Sequence, residues 1–252
     1  MSNEFEIQEH QQNEMTIERL DNQHEHDVKI NKPLLSHPHS MLIVAPKGAG
    51  KSTFIINCLI KKSFYKGYFD KVYIWSPTMK LDDKFNKAIV LPEDQIFEEY
   101  EEDDLLDILE EQSKDIIENG KKNSNKILLI FDDMAQSNAF NQSKKNAMTK
   151  LFFNLRHYNA SLWVASQRYC GAMPLNFRTN LSGLIIFNIP NQKELDKIMS
   201  ENAGTVNKRQ FKTIFDYCMD KPFNFMFLNF QVHHNNMFHK NFNKLKINYD
   251  EK

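Results

Sequence analysis

Glycine is scarce in this chain, at 7 of 252 residues. At that level each glycine calls for a reason, since glycine alone enters left-handed backbone without steric cost. Cysteine is scarcer: Cys58, Cys170 and Cys218 are odd in number and far apart. That excludes a disulfide scaffold and predicts reduced thiols in an intracellular, non-secreted setting. Apolar runs are short, none approaching the roughly 18 residues of a membrane span, and mean hydropathy is -0.58. Met1–His10 is acidic and polar, which does not suit a secretory signal. An excess of one charge is also missing. With 32 Lys and Arg against 33 Asp and Glu, a uniformly basic nucleic-acid coat is excluded, while a local basic face is not. Nothing repeats at a period of about 20–50 residues, which removes solenoids and propellers.

What remains is a globular composition, 41% hydrophobic and 26% charged, in a chain long enough to bury one sizeable core. Residues 1–30 form a polar arm rich in Gln, Asn, Glu and His. Asp27–Ile30 is expected as a peripheral strand. His24 and His26 have no closed ligand set beside them and read as solvated. Residues 231–252 are Asn-rich and basic, and are expected as a tail. Within them Lys240, Lys244 and Lys246 alternate with Phe238 and Phe242. That is a possible DNA contact, although so few charges neutralise few phosphates and a solvated tail is the plainer reading.

Between the ends, at residues 31–230, strand and helix signals alternate. Strands are predicted at Met41–Val44, Lys71–Trp75, Lys126–Phe131, Ser161–Ala165, Gly183–Phe187 and, as the last, Phe223–Leu228. All are near-continuous apolar runs. Helical spacing covers Lys51–Lys62, the stripe Leu105, Leu106, Leu109, Ile116 and Ile117 closed by Gly120, and the region of Ala147–Leu155. Asn191 with Glu194 and Asn207 with Gln210 predict capping boxes. The acidic run Glu93–Glu111 reads as the solvated face of an amphipathic helix. Such alternation predicts an α/β fold with a mainly parallel sheet covered on both faces.

Residues 45–53 read Ala-Pro-Lys-Gly-Ala-Gly-Lys-Ser-Thr. A strand before them and a helix after them is the context that a phosphate-binding loop requires. Pro46, Lys47, Gly48, Ala49, Gly50, Lys51, Ser52 and Thr53 are the expected nucleotide contacts. Backbone N–H groups curl around the anion and the helix N-terminus adds its positive end. Lys51 reaches the terminal phosphates, and the Ser52 hydroxyl joins a Mg²⁺ shell. Asp132 and Asp133 end another strand. One can order a metal-bound water and the other can orient or deprotonate the attacking water. Gln167, after Ser161–Ala165, can sense the phosphate if its strand lies between the other two. No Asn-Lys-x-Asp is present, nor the lid arginines of a small nucleotide kinase, so ATP is favoured.

The segments His37-Pro-His-Ser-Met-Leu-Ile-Val-Ala-Pro-Lys-Gly-Ala-Gly-Lys-Ser, Trp75-Ser-Pro-Thr, Phe131-Asp-Asp-Met and Arg156-His-Tyr-Asn-Ala-Ser-Leu-Trp-Val-Ala-Ser-Gln resemble the genome-packaging ATPases of poxviruses, giant viruses and virophages. Those belong to the FtsK–HerA group. The likeness runs from about residue 34 to 230, and its most specific part is the Arg-His-Tyr-Asn-x-Ser stretch. It implies a P-loop NTPase fold of the RecA/ASCE type, with a mainly parallel central sheet flanked by helices on both faces. It also implies a Mg²⁺-dependent ATPase that drives double-stranded DNA into a preformed capsid as a homo-oligomeric ring. Capsid or portal-vertex proteins would be partners, the viral factory in the host cytoplasm or the virion the location, and no membrane is involved. By position it implies Lys51 and Ser52 on phosphates and metal, Asp132 on the metal, Asp133 as catalytic carboxylate, Gln167 as sensor and Arg156 as arginine finger. Arg156 precedes its strand, about 17–20 Å from the phosphate edge, so such a finger would serve a neighbour. Arg168, beside the phosphates, is the reserve. Ala45 replaces a commoner glycine, and Asp133 stands where many members have Glu. A plasmid or cellular DNA pump of the same group, or a slow nucleotide-dependent assembly switch, are the alternatives.

Overall fold

Apolar residues on consecutive strand positions point alternately to the two faces of a sheet, so runs of the kind above require cover on both sides. The computed structural model describes residues 32–79, 83–134, 137–140, 146–204 and 206–247, and the expected arm at 1–30 with Asp27–Ile30 lies outside them. Its strands are β1 (Ser40–Val44), β2 (Lys71–Trp75), β3 (Ile96–Phe97), β4 (Ile127–Asp132), β5 (Ala160–Ser166), β6 (Gly183–Phe187), β7 (Phe225–Asn229), β8 (Phe238–Lys240) and β9 (Asn243–Lys244). The helices are α1 (Lys51–Ile60), α2 (Asp83–Ala88), α3 (Glu102–Asn119), α4 (Ala147–Phe153), α5 (Leu175–Arg178), α6 (Gln192–Asn202) and α7 (Lys208–Cys218). One sheet carries all the strands, in the order β3-β2-β4-β5-β1-β6-β7-β8-β9. From β3 to β6 the pairing is parallel, and β7, β8 and β9 run antiparallel.

Alternation splits the core in two. Leu42, Val44, Leu129, Phe131, Leu162 and Val164 pack on one face. Met41, Ile43, Leu128, Ile130, Trp163 and Ala165 pack on the other. Across β3, β2 and β4 the register aligns Phe97, Trp75 and Phe131. Their rings stack at 4.6 Å and 4.5 Å between centroids. This ladder fixes the end of β4 immediately before Asp132, which gives Trp75 of the Trp-Ser-Pro segment a positioning task.

Four expectations are corrected. The segment from 231 is no tail as far as residue 244: β8 and β9 extend the sheet, and Phe238 is fully buried. Phe238 packs edge-on against Phe211, while Lys240 pairs with Asp220 at 2.6 Å and lies over the Tyr217 ring. Phe238 therefore packs against protein, and Phe242 packs on Phe54 and Phe225. Phe223–Leu228 is accordingly not the last strand. In α3 the buried positions are Leu105, Ile108, Leu109 and Gln112, whereas Leu106 and Ile117 face solvent. Finally, Asn207 and Gln210 close a full capping box, but at α6 only Asn191 caps. Glu194 is drawn away to accept from the backbone N–H groups of Tyr169 and Cys170, at 2.9 Å and 3.2 Å.

Candidate functional site

At the C-terminal edge of β1 the chain leaves the sheet through Ala45-Pro46, and the Ala45 N–H donates to the Ser166 carbonyl at 3.0 Å. Gly48 and Gly50 hold φ of 78° and 104°, values that a residue with a side chain reaches only under strain. Gly50 N-caps α1, where no side chain caps the helix and no acid sits in the first turn. The first-turn N–H groups and the positive end of the helix dipole thus face an open cleft. That cleft measures about 1040 Å³ and is lined by seven of the eight expected loop residues, Ala49 being turned aside.

Three strand ends deliver the remaining groups. Because β5 lies between β1 and β4, Gln167 emerges between the loop and the aspartates. Consecutive strand residues point to opposite faces, so Asp132 and Asp133 would ordinarily diverge. Asp133 instead adopts a left-handed φ of 55°, with its N–H held by the Ala165 carbonyl at 3.0 Å. That kink brings both carboxylates to one amine. Lys51 Nζ lies 3.2 Å from Asp132 Oδ1 and also pairs with Asp133. Gln167 Nε2 donates to Asp133 Oδ2 at 3.4 Å. The lysine and Asp132 side chains are nearly buried, at 9% and 13% exposed, while Asp133 is open at 33%. An anion on Lys51 therefore meets a half-exposed carboxylate poised beside it, with an amide next to that.

For a metal, Ser52 and Asp132 share a small cavity with Ser76 and Thr78. These are oxygen donors of the type a hard divalent cation takes. The described residues contain no group of three or more His, Cys, Asp or Glu able to hold a metal unaided. Mg²⁺ typically uses one or two carboxylates plus substrate phosphates, so the residues fit a cation that arrives with its nucleotide.

Arg156 stands apart. It is exposed, in the turn between α4 and β5, at the edge of the sheet opposite the loop. β5 spans seven residues, about 23 Å at some 3.3 Å per residue. Arg168 lines a second cleft of about 840 Å³ with Asp133, Gln167 and Glu98.

The stretch from Arg156 to Ser161 divides its labour. Asn159, at φ 46°, and Ser161 are buried. His37 Nε2 donates to Asn159 Oδ1 at 3.0 Å, and Ser161 Oγ meets His37 Nδ1 at 2.8 Å. Asn159 also donates to the Ser124 carbonyl at 3.1 Å. Trp163 Nε1 donates to His39 Nε2 at 2.8 Å. Burial first, and His37 second, push the His39 imidazole down to about 3, which suits a neutral acceptor. Two segments of the sequence resemblance, at 37–40 and 156–163, thus meet in one buried clasp. It anchors the turn that displays Arg156.

Sequence reasoning missed the aromatic half of the main cleft, supplied by Phe64, Phe187, Phe223 and Phe242. Only the count of 20 phenylalanines hinted at an aromatic surplus. Burial pushes the Cys58 and Cys218 thiols up, and all three cysteines are free.

Among solved structures, the genome packaging NTPase B204 of Sulfolobus turreted icosahedral virus 2, in complex with AMP, superposes with a TM-score of 0.61 at 15% identity. The alignment covers 84% of this chain and all of that one. The same protein in complex with AMPPCP gives 0.56 at 17% identity, over 78% and 95% of the two chains. At such identities the likeness shows the fold: a P-loop NTPase with a mainly parallel sheet. Uncharacterized protein 015R of Frog virus 3 (isolate Goorha) is 26% identical over 193 residues, or 70% of this chain and 52% of that protein. The chain therefore spans about half the length of this curated relative. The poxvirus A32 protein family model matches residues 27–225, most of the chain, and the protein belongs to that family.

Proposed function

We propose that the protein is a Mg²⁺-dependent ATPase of the FtsK–HerA kind that packages a viral genome. ATP hydrolysis between subunits of a homo-oligomeric ring would translocate double-stranded DNA into a preformed capsid. The observation that carries this reading is the convergence of Lys51, Asp132, Asp133 and Gln167 beside the uncapped start of α1. Membership of the poxvirus A32 family supports the viral setting. The packaging NTPase named above supports the assignment to genome packaging. In this reading capsid or portal-vertex proteins are the docking partners, and the protein acts in the infected cell, at the viral factory or in the virion.

The residues take the following parts. The loop from Pro46 to Thr53 cradles the phosphates and Lys51 neutralises the terminal ones. Ser52 and Asp132 hold Mg²⁺, whose bound charge offsets that of the phosphates. Asp133 orients the attacking water and accepts its proton, and its half-exposed position leaves room for that water. Gln167, hydrogen-bonded to Asp133, reports the state of the γ-phosphate toward Arg168 and the second cleft. Arg156 reaches the phosphates of a neighbouring subunit.

ATP turnover measured with and without duplex DNA, alongside native mass, tests the proposal. A ring whose rate rises with duplex DNA is the expected result. A rate indifferent to DNA would instead support a nucleotide-dependent assembly switch.

The two aspartates separate by variant. Asp133→Asn should retain Mg²⁺–ATP but slow hydrolysis by about 10²–10⁴, the usual worth of a positioned base. Asp132→Asn should weaken Mg²⁺-dependent nucleotide binding. Calorimetry and single-turnover hydrolysis distinguish the two. Equal, mild losses of turnover with unchanged binding in both would refute the division.

A further inference from the structure

The main cleft continues past the phosphate loop. Asp132, Asp133 and Gln167 end strands on one side of β1, whereas β6 and β7 lie on the other. At that second side Phe187, the last residue of β6, is paired with Phe225, the first of β7. A triphosphate whose terminal group sits on Lys51 between the aspartates is thereby directed to carry its nucleoside across the end of β1 toward β6 and β7. What waits there is aromatic. Phe242 lies 5.2 Å from Phe64 and 5.3 Å from Phe225, ring centre to ring centre. It also stacks on Phe54 at 6.1 Å.

Phe223 is the odd member. Its backbone has φ 66°, a costly conformation for a bulky side chain. The residue is 70% exposed, so burial does not repay that cost. The ring stands over the phosphate loop, its Cδ1 3.4 Å from where a Cβ on Gly50 would be. An exposed aromatic face, held under strain at the lip of an aromatic cleft, lacks only a flat partner.

Polar side chains at this end are few: Asn57, Asn241 and the exposed Lys61. The Asn241 amide is committed on both sides: its Oδ1 accepts from the Phe225 N–H and its Nδ2 donates to Asn224 Oδ1, each at 3.1 Å. Asn57 spends its Nδ2 on the Thr53 carbonyl at 2.7 Å.

We infer that this end of the cleft is a nucleobase subsite, in which Phe223 stacks on the base and purines are accepted with little regard to their exocyclic groups. The inference deepens the phosphate-loop reading and rests on it. Sites that hydrogen-bond a distinguishing group reject the analogue by about 10⁴–10⁵, whereas apolar shape alone manages about 10–200-fold. ATP and GTP should therefore bind within about 200-fold of each other.

The test is calorimetry of ATP and GTP with Mg²⁺, and of inorganic tripolyphosphate, on the full chain and on Phe223→Ala, Phe223→Trp and Lys51→Ala. Phe223 is exposed, so its variants should melt like the parent. Phe223→Ala should weaken both nucleotides by about 5–150-fold, the range of one base–aromatic stack. Tripolyphosphate affinity should not change, and Phe223→Trp should restore the nucleotides. Lys51→Ala should weaken all three titrants. Equal losses for ATP and tripolyphosphate in Phe223→Ala, or no loss for ATP, overturns the subsite. So does GTP binding more than about 10³-fold below ATP, beyond the apolar range. If the parent fails to bind tripolyphosphate, or Lys51→Ala changes none of the three, the phosphate-loop reading falls first and the subsite with it.

Discussion

Lys51→Ala is expected to abolish ATP hydrolysis and most nucleotide binding in a protein that still folds. The lysine is buried, but its amine is held by Asp132 and Asp133 in a cleft rather than in the apolar core. Removal deletes the point charge nearest the terminal phosphates. Losing a single preorganised donor to developing charge costs about 10²–10³ in rate, and here the aspartates also lose their counter-charge and would repel the incoming phosphates. The same deletion should leave the fold intact, because the core strands on either side of the loop are untouched, but lower the thermal transition, because Asp132, 13% exposed, loses its counter-charge. Turnover, nucleotide calorimetry and a melting curve on one preparation decide the matter. Parent-like turnover in a folded variant would falsify the assignment of residues 45–53.

Arg156→Ala is expected to bind ATP and assemble normally yet hydrolyse about 10³–10⁵ times more slowly, the range for arginine fingers. The structure places Arg156 and the loop at opposite edges of the sheet, so its own subunit's phosphates are out of reach. A finger role then requires a neighbour. If Arg156 only complements the carbonyl end of α4, the loss should be a few-fold, in line with about 0.3–1 kcal/mol for a helix-end charge. Mixing Arg156→Ala with Lys51→Ala subunits discriminates further, because some interfaces then join an intact Lys51 to a neighbour's intact Arg156. Partial recovery of turnover is expected. A loss below about tenfold, well short of the finger range, or no recovery despite subunit exchange, defeats the trans arrangement.

The inner strands were legible because burial on both faces leaves little choice of residue. The bounds of β2 and β6 match the apolar runs, and β1, β4 and β5 differ by a residue or so at their ends. That Asp132, Asp133 and Gln167 would gather near Lys51 was legible for a related reason. Parallel strands all end at one edge, so polar residues that close apolar runs gather there. The C-terminal strands were opaque. β8 and β9 are three and two residues long in an Asn-rich stretch, and only the pairing of β8 with β7 and of β9 with β8 makes them strands. Likewise, nothing local in Asn191-Gln-Lys-Glu194 reveals that Glu194 serves a loop 24 residues upstream instead of its own helix. In α3, Ile108 rather than Leu106 turns inward. With leucine and isoleucine on adjacent positions, the sequence leaves the phase of the stripe open by one residue.

The pairing of Lys51 with both aspartates has a thermodynamic consequence. A buried amine without counter-charge would be costly, and here it is compensated from within the chain before anything binds. Under the proposed function, arrival of a nucleotide would therefore be an exchange of partners. Phosphate oxygens would replace carboxylates on Lys51, and the displaced carboxylates would need a cation or water of their own. Nucleotide and metal would each relieve a penalty that the other creates, so each is expected to raise the other's affinity by the same factor. Release would run the same cycle backwards: once the phosphates left, the aspartates would reclaim the lysine, and the site would reset without exposing a bare charge.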